Sequence, residues 1–234
     1  MEAILLAGGK AERLAAVARG RPKALVEVAG RPLAAYQVAL LAGAGVGRVL
    51  VSCAAGQEDL FLAALEGLGP EIVTIGETEP LGRGGGARLA ATARRELGPV
   101  YVLNGDELID VDLTALLSAH RGHGGAATIV VAPLPTGFGV VDVGDDDQVR
   151  GFDESPKLPH WVHAGVHVLE DEAIERLPEL GDHERTTFPD LAAEGKLYAY
   201  RHDGVWLTVN TPKDLRVADE HLRAHPDWLA AAKA

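Results

Sequence analysis

Two glycines and two cations follow the first apolar segment of the chain, in a pattern that could hold an anion. Gly8 and Gly9 come directly after residues 3–7, and Lys10 and Arg13 follow them. Glycines let backbone amides approach an anion closely, and the two cations could neutralise its charge. The spacing matches neither the dinucleotide-binding motif G-x-G-x-x-G nor the phosphate-loop motif G-x-x-x-x-G-K-[ST]. It therefore predicts a phosphate site, for which an ordinary tight turn is the alternative.

A carboxylate stands just beyond a predicted buried strand in the middle of the chain. Residues 100–103 are apolar and stop at residues 104–106, which end on Asp106. A hard carboxylate suits Mg²⁺, which takes one or two protein ligands and completes its shell with water and substrate phosphates. We therefore predict that Asp106 is a magnesium ligand, with an aspartate that caps a turn as the alternative.

The elements that must position these residues alternate along the first half of the chain. Short apolar runs predict strands at 3–7, 48–53, 71–75 and 100–103, and segments of helical period predict helices at 33–42, 58–65 and 86–96. This order is typical of a mostly parallel sheet, in which ligands bind beyond the carboxyl ends of the strands. Gly8 and Asp106 are both expected there.

The pattern changes after Asp112, a predicted helix N-cap, while Asp110 is predicted to lie in a turn. Residues 126–132, 139–143 and 162–169 predict strands, and 145–147 predict a turn between two of them. Residues 212–234 predict a helix broken near Pro226. We therefore predict one α/β domain over residues 1–234, with a central mixed, mostly parallel sheet and an antiparallel extension in its second half.

The composition narrows the classes of protein. The chain has 234 residues and a net charge of -12, and its Lys and Arg residues are scattered, which argues against nucleic-acid and membrane-surface binding. Cys53 is the single cysteine, so no intrachain disulfide can form, and it is predicted to be a core residue. Gly8 and Gly9 interrupt the apolar N-terminal segment before it could form the apolar region of a signal peptide. No apolar run reaches the ~18 residues of a membrane span. A cytoplasmic enzyme is the expectation.

Several short motifs together resemble the sugar-1-phosphate nucleotidyltransferases, also called NDP-sugar pyrophosphorylases. The motifs are LAGGKAERL at 6–14, RPKAL at 21–25, AGRPL at 29–33, EPLGRGGG at 79–86, NGD at 104–106 and WLTVNTPKDL at 206–215. Each is weak alone, but they stand in the order of the family and cover nearly the whole chain. The resemblance implies a nucleotide-diphospho-sugar transferase-like fold. It also implies Mg²⁺-dependent joining of a nucleoside triphosphate to a sugar 1-phosphate, with release of pyrophosphate.

The resemblance implies roles for individual residues of the nucleotide site. Arg13, Lys23 and Asp106 would be catalytic, with Lys23 at the α-phosphate or the acceptor phosphate. The nucleotide-binding residues that it implies are Leu6, Ala7, Gly8, Gly9, Lys10, Arg13, Lys23, Leu81, Gly82 and Gly105. The family usually has L-G-T-A-G where this chain has Arg83 and three glycines, so the identity of the base stays open.

The acceptor residues that the resemblance implies are Gly139, Glu154, Lys157 and His163. The segment 152–157 is similar to the family motif F-x-E-K-P, but Ser155 stands where the family has its lysine. Lys157 either takes over the phosphate contact or is a solvated loop lysine. His163 replaces the asparagine of the family's N-A-G strand. We do not predict a zinc site from His163 and its neighbouring histidines, because no third ligand follows at zinc spacing.

Asn210 is the second predicted metal ligand. Many relatives read W-x-D-(I/V)-G-T-P, with the aspartate on the metal, whereas this chain has Thr208 at that position and Asn210 at the family's glycine. In related guanylyl- and uridylyltransferases an asparagine carbonyl helps to hold magnesium, so the resemblance implies the same for Asn210. The alternative is that Asn210 caps the helix that begins near Pro212.

Other functions stay open at this point. Guanylyl transfer to mannose 1-phosphate is one pairing that the resemblance allows, and a phosphorylated polyol is another acceptor class. A metal-dependent glycosyltransferase is disfavoured because no D-x-D motif follows a central strand. A non-catalytic nucleotide-sugar-binding subunit is kept open by Ser155 and Thr208. The expected partners are a nucleoside triphosphate and a sugar 1-phosphate, with no nucleic acid and no membrane, and homo-oligomerisation is left open.

Overall fold

The computed structural model describes residues 1–9, 11–18, 20–226 and 228. The strands are β1 (Glu2–Leu6), β2 (Glu27–Val28), β3 (Arg31–Pro32), β4 (Arg48–Ala54), β5 (Glu71–Glu77), β6 (Val100–Asn104), β7 (Glu107–Ile109), β8 (Ala127–Pro135), β9 (Val140–Val143), β10 (Val149–Asp153), β11 (Lys157–Leu169), β12 (Leu197–Arg201) and β13 (Trp206–Thr208). The helices are α1 (Ala15–Ala18), α2 (Leu33–Gly43), α3 (Glu58–Leu65), α4 (Gly82–Ala91), α5 (Leu113–His123), α6 (Asp171–Glu175), α7 (Thr187–Ala193) and α8 (Pro212–Ala224). Short 3₁₀ turns occupy Glu12–Leu14, Lys23–Leu25 and His183–Arg185.

A seven-stranded mixed sheet runs through the centre in the order β12-β8-β11-β6-β1-β4-β5. Strand β1 pairs in parallel with β4 and β6, and β4 pairs in parallel with β5. The register places Leu6 beside Ser52 on one side and beside Asn104 on the other. The carboxyl ends of these parallel strands therefore meet at one edge of the sheet, where polar loop residues converge.

The sheet is covered on both faces because its central strands are apolar on both sides. Along β1, Ala3 and Leu5 pack into one buried cluster with residues of α2, α3 and α5, whereas Ile4 packs into a second with residues of α4, α6 and α7. Successive strand residues point to opposite faces, so one short run feeds both layers. Cys53 lies in the first cluster and is fully buried. This confirms it as a core residue, and burial raises the pKa of its thiol to about 12.

Most of the predicted elements are confirmed, with shifts at their ends. The helix predicted at 58–65 has those bounds. The other strands and helices predicted in the first half, apart from the helix at 86–96, have ends within two residues of their predictions. Asp112 caps α5 by accepting the backbone N–H of Ala115 at 2.9 Å, as predicted. Helix α8 ends at Ala224, just before Pro226, and the predicted continuation over 227 and 229–234 lies outside the described residues.

The helix predicted at 86–96 is the main error in the first half. Helix α4 begins four residues earlier, at Gly82, and ends at Ala91. Three consecutive glycines have low helix propensity, so local preference argued against an early start. Tertiary contacts decide otherwise, since the backbone N–H groups of Gly84 and Gly85 donate to Gly181 at 2.9 and 3.2 Å.

The antiparallel extension predicted for the second half is confirmed, with one parallel pair at its edge. Strand β11 pairs antiparallel with β6 and β8, while β12 pairs in parallel with β8, so β8 and β12 run in the direction of β6. The antiparallel hairpin β9–β10 stands apart as its own two-stranded sheet. Strands β7 and β13 form another two-stranded sheet that no periodicity predicted. Across the described part of the chain, no helix has the length and apolar character needed to cross a membrane.

Candidate active site

A cavity of about 510 Å³ opens at the carboxyl ends of β1, β5 and β6. Its volume is in the range of small-molecule sites. The residues that line it are Leu6, Ala7, Gly8, Gly9, Arg13, Lys23, Ala24, Glu77, Pro80, Gly82, Arg83, Asn104, Asp106, Glu107, Asp182, Thr208 and Asn210. It therefore brings together most of the nucleotide-site residues that the sequence indicated, with both predicted metal ligands. Lys10 lies outside the described residues.

The centre of the cavity is an ammonium group held between two oxygens. Lys23 follows Pro22 at the start of a 3₁₀ turn, and its Nζ donates to Asp106 Oδ2 at 2.5 Å and to Asn210 Oδ1 at 2.6 Å. Lys23 is 83 positions from Asp106 and 187 positions from Asn210 in the chain. A carboxylate and an amide oxygen thus converge on one cation, and both are hard ligands of the kind that Mg²⁺ prefers.

Asn210 is free to play this part because another residue caps the next helix. Thr211 is the N-cap of α8: its side chain accepts the N–H of Asp214 at 3.2 Å, and the Asp214 carboxylate accepts the N–H of Thr211 at 2.8 Å. The capping alternative for the Asn210 side chain is therefore wrong. Thr208 and Asn210 both line the cavity while Val209 between them is fully buried, as expected for an extended segment.

We expect Asn210→Ser to raise the Mg²⁺ concentration needed for half-maximal turnover several-fold, with the thermal midpoint nearly unchanged. The serine hydroxyl does not reach as far as the amide oxygen, and the cap of α8 stays intact. Thr211→Ala is the matched control, because it removes the cap and should cost about 1 kcal/mol of stability without changing the Mg²⁺ requirement. If Asn210→Ser instead lowered stability and left the Mg²⁺ requirement unchanged, Asn210 would have a capping role.

Glu107 was missed by the sequence analysis. It is the cross-strand partner of Thr208 in the β7–β13 pair, and its carboxylate lines the cavity beside Asp106. The carboxylate accepts hydrogen bonds from Asn104 Nδ2 at 3.0 Å and from Trp206 Nε1 at 2.7 Å. Burial raises the pKa of Glu107. Its side chain therefore ties the end of β6 to β13 and fixes the wall that carries the predicted metal ligands.

Glu77 is a second carboxylate that sequence reasoning missed. It ends β5, and its two oxygens accept hydrogen bonds from Ser52 Oγ at 2.6 Å and from the N–H of Leu81 at 3.1 Å. A side chain at Gly8 would place its Cβ 3.0 Å from Glu77 Oε1, so the glycine loop and this carboxylate are in close contact. Glu77 also lines a second cavity of about 490 Å³ that shares Gly8, Gly9 and Pro80 with the first.

The predicted nucleotide residues divide into those that line the cavity and those that support it. Leu81 supports the site through its N–H bond to Glu77. Gly105 does so by close packing, because a Cβ there would meet Leu6 O at 3.1 Å and Ala24 Cβ at 3.2 Å. Arg13 lines the cavity from the turn Glu12–Leu14. The phosphate-site prediction for Gly8 and Gly9 thus rests on a loop that faces Lys23 and Asp106 across one cavity.

The predicted acceptor residues do not line this cavity. Glu154 and Lys157 are exposed, and Glu154 lies beside Gly139 near the β9–β10 hairpin. His163 is instead packed against His167 and Phe188, at ring-centroid distances of 5.4 and 5.8 Å. Burial lowers the pKa of His163 to about 4, so this imidazole is neutral near pH 7. The acceptor roles of these four residues remain predictions.

The described residues include no group of three or more His, Cys, Asp or Glu side chains arranged to hold a metal ion. Mg²⁺ bound with a nucleotide does not require such a group, because phosphate oxygens and water supply the remaining ligands. The oxygens of Asp106 and Asn210 that converge on Lys23 Nζ have the chemistry that such an ion would need.

Comparison with known proteins identifies relatives of the chain. The nucleotidyl transferase family model matches residues 2–225. The mannose-1-phosphate guanylyltransferase catalytic subunit beta of Danio rerio is 33% identical over 253 residues, covering 98% of this chain and 70% of the relative. The corresponding subunit of Drosophila pseudoobscura pseudoobscura is 32% identical over 221 residues, covering 91% of this chain and 60% of the relative. The chain thus spans about 60 to 70% of the length of these relatives.

Solved structures share the fold at lower identity. HddC from Yersinia pseudotuberculosis superposes with a TM-score of 0.75 at 22% identity, covering 94% of this chain and 99% of that one. A second structure of HddC is complexed with GMP-PN. A putative glucose-1-phosphate thymidylyltransferase from Bacillus anthracis also gives a TM-score of 0.75, at 18% identity, covering 95% of this chain and 96% of that one. At these identities the likeness concerns the fold.

Proposed function

The chain belongs to the nucleotidyl transferase family, and on that premise we propose that it joins a nucleoside triphosphate to a sugar 1-phosphate, giving an NDP-sugar and pyrophosphate. The observation that carries the proposal is the convergence of Lys23, Asp106 and Asn210 opposite the glycine loop, within one cavity. A cation site beside a glycine loop, whose backbone amides can bind phosphate oxygens, is an arrangement suited to transfer of a nucleotidyl group.

The charges that line the cavity support the need for a divalent cation. The described residues that line the cavity include three cationic side chains, Arg13, Lys23 and Arg83, and four carboxyl groups, Glu77, Asp106, Glu107 and Asp182. A triphosphate entering this cavity would meet little net positive charge from these residues. Asp106 and Asn210 would hold Mg²⁺, which would supply positive charge to offset the charge of the phosphates.

The residues of the chain then have simple tasks. The second pKa of a phosphate monoester is ~6, so the acceptor is largely dianionic at neutral pH and needs no general base. Its oxygen forms a bond to the α-phosphorus while the bond to the bridging oxygen of the β-phosphate breaks, and pyrophosphate leaves. Gly8, Gly9 and Arg13 would orient the triphosphate. Lys23 would exchange its contacts with Asp106 and Asn210 for a phosphate oxygen at the reacting centre.

Glu77 supports guanine as the base. Its two oxygens accept hydrogen bonds from Ser52 and Leu81, each oxygen can accept a further bond, and the residue lines both cavities. Guanine presents two neighbouring N–H donors on its Watson–Crick edge, N1–H and N2–H, which a carboxylate can accept as a pair, whereas adenine presents a single donor group, N6–H, beside the acceptor N1. The names of the Danio rerio and Drosophila pseudoobscura relatives point to the same base.

We expect Glu77→Gln to lower kcat/KM for GTP by about 10- to 100-fold, because one hydrogen bond to a charged acceptor is lost and an amide N–H faces a donor. The KM for the sugar phosphate should change little. Steady-state pyrophosphate release with GTP, ATP and UTP measures this. A variant that keeps the wild-type preference among the three nucleotides would remove Glu77 from base recognition.

The function is tested by a matrix of five nucleoside triphosphates against several sugar 1-phosphates, with Mg²⁺ and with pyrophosphate release as the readout. The largest kcat/KM is expected with GTP and mannose 1-phosphate, the substrates that the names of the relatives suggest. Glucose 1-phosphate and a phosphorylated polyol belong in the same matrix. No pyrophosphate under any pairing, together with sugar transfer from an NDP-sugar, would overturn the proposal.

A further inference from the structure

Among the described residues that line the cavity, Arg83 is the cationic side chain that the proposed function leaves without a task. The described residues contribute three such side chains to the cavity, and the proposal uses Arg13 and Lys23 for the triphosphate and the reacting centre. The reaction brings a second phosphate into the cavity, on the acceptor, and that phosphate also carries charge that must be met.

The guanidinium of Arg83 is held in place by two carboxylates from a distant segment, residues 178–184. Asp182 Oδ1 accepts the backbone N–H of Arg83 at 3.1 Å and its Nε at 3.4 Å, and Glu184 Oε1 lies 2.7 Å from Nη1. No hydrogen bond to the second terminal nitrogen, Nη2, is found among the described residues. Arg83 and Asp106 line the same cavity.

The glycines that follow Arg83 explain how this contact is made. Gly84 would place a Cβ 2.6 Å from Pro178 Cγ, and Gly85 would place one 2.5 Å from the carbonyl oxygen of Glu179. Only glycine lets the start of α4 lie this close to the 178–184 segment. The arginine and its glycines therefore act together, since the close packing delivers the two carboxylates that orient the guanidinium.

We propose that Arg83 binds the phosphate of the acceptor and so makes the site selective for phosphorylated over unphosphorylated sugars. The inference rests on the proposed function. Asp182 and Glu184 offset the charge of the guanidinium. Arg83 therefore contributes oriented N–H donors rather than a large net positive charge. Arginine donors bind phosphate oxygens with defined geometry, and orientation by second partners reduces the entropy lost on binding.

Lys157 is the rival for this role. It lies at the start of β11, is exposed, and is not among the residues that line the cavity. Ser155, where the family has its lysine, is exposed as well. Arg83 reaches the cavity from a different element, the first turn of α4, so it can supply the cationic group that position 155 lacks.

The test compares Arg83→Ala with a matched control on the same helix, Arg88→Ala. Arg88 is 42% exposed against 47% for Arg83, and it also ties α4 to the neighbouring backbone through Leu177 O at 2.6 Å, but it does not line the cavity. Arg83→Ala should raise the KM for the sugar 1-phosphate about 10- to 100-fold, with the KM for the nucleotide within about twofold of wild type. Arg83→Lys should restore part of the loss. Arg88→Ala should leave both KM values unchanged.

A binding measurement separates this inference from the proposed function. Mannose 1-phosphate is titrated calorimetrically into wild type and Arg83→Ala, each saturated with a non-hydrolysable GTP analogue and Mg²⁺, with mannose as the unphosphorylated probe. Loss of the preference for the phosphorylated sugar in Arg83→Ala supports the inference. If Arg83→Ala and Arg88→Ala lose affinity for both substrates equally, Arg83 has only a structural role and the inference is overturned. The inference is also overturned if Lys157→Ala raises the KM for the sugar 1-phosphate and Arg83→Ala does not. Wild type that releases no pyrophosphate with any pair overturns the proposed function instead.

Discussion

Asp106→Asn is expected to lower kcat by about 10²- to 10³-fold, the scale seen when one stabilising electrostatic contact of a reacting centre is removed. The substitution keeps the shape of the side chain and removes the charge that would hold Mg²⁺. It also removes the carboxylate partner of Lys23, whose Nζ lies 2.5 Å from Asp106 Oδ2. The measurement is steady-state pyrophosphate release over a titration of Mg²⁺. The affinity for Mn²⁺, read by electron paramagnetic resonance with a non-hydrolysable nucleotide bound, should fall in parallel.

Asp110→Asn is the matched control for this variant. The Asp110 side chain is 35% exposed, against 34% for Asp106, and it lies four residues further along the chain. It does not line the cavity, and its oxygen accepts the N–H of Val205 at 2.8 Å and pairs with His202 at 2.8 Å. Its replacement should lower stability and leave Mn²⁺ affinity as in wild type. Equal Mn²⁺ affinities in wild type and Asp106→Asn would remove Asp106 from the metal site.

Lys23→Met is expected to lower kcat by a similar factor, about 10²- to 10³-fold, but with the opposite effect on the metal. The methionine keeps most of the length of the side chain and removes the ammonium that lies between Asp106 and Asn210. Without that competing cation, the two oxygens should bind Mn²⁺ more tightly in the absence of nucleotide. The same resonance measurement on the nucleotide-free protein reads this change. Lys23→Arg should recover little activity, because a planar guanidinium does not replace a compact ammonium between two oxygens.

Lys196→Met serves as the control for the loss of a lysine. Lys196 is 43% exposed, pairs with Glu172 and lies away from the cavity, so its replacement should change neither kcat nor Mn²⁺ affinity. A fall in both activity and metal affinity for Lys23→Met would show that Lys23 supports the fold of the site rather than sharing its oxygens with the metal. Unchanged kcat would exclude Lys23 from the reacting centre.

These variants also bear on the alternatives that the sequence left open. A non-catalytic subunit would bind nucleotide sugar, and Arg13, Lys23 and Asp106 would affect binding alone. A glycosyltransferase would use the same metal but consume an NDP-sugar without forming pyrophosphate. Pyrophosphate release that depends on Asp106 and Lys23 would therefore exclude both alternatives with one assay.

Much of the fold could be predicted from the chain because its central strands and helices are specified locally. The runs that form β1, β4 and β6 are apolar on both faces, and α3 has a helical period with bounds that match the prediction. The place of Gly8 and Gly9 in the cavity wall was predictable because they directly follow the first strand. The place of Asp106 in the same wall was predictable because it follows the carboxyl end of β6.

Other features depend on contacts between residues far apart in the chain. Glu77 and Glu107 carry no local signal, and their partners lie up to 99 residues away, as with Trp206 for Glu107. The early start of α4 depends on backbone contacts with Gly181, which no propensity scale includes. The directions of β8 and β12 are set by the strands with which they pair. Hydrophobic alternation does not reveal them, because an edge strand can show the same alternation whether it pairs in parallel or antiparallel.

The sequence by itself determined the α/β architecture, and it indicated the glycine loop after the first strand and the two predicted metal ligands, Asp106 and Asn210. Only the tertiary structure decided that Thr211 rather than Asn210 caps α8, that Lys23 lies between Asp106 and Asn210, and that Arg83 lines the cavity. The physical reason is the distance along the chain over which each feature is determined. Strand and helix periods are read over a few residues, whereas the direction of a polar side chain depends on the partner that the folded chain brings to it.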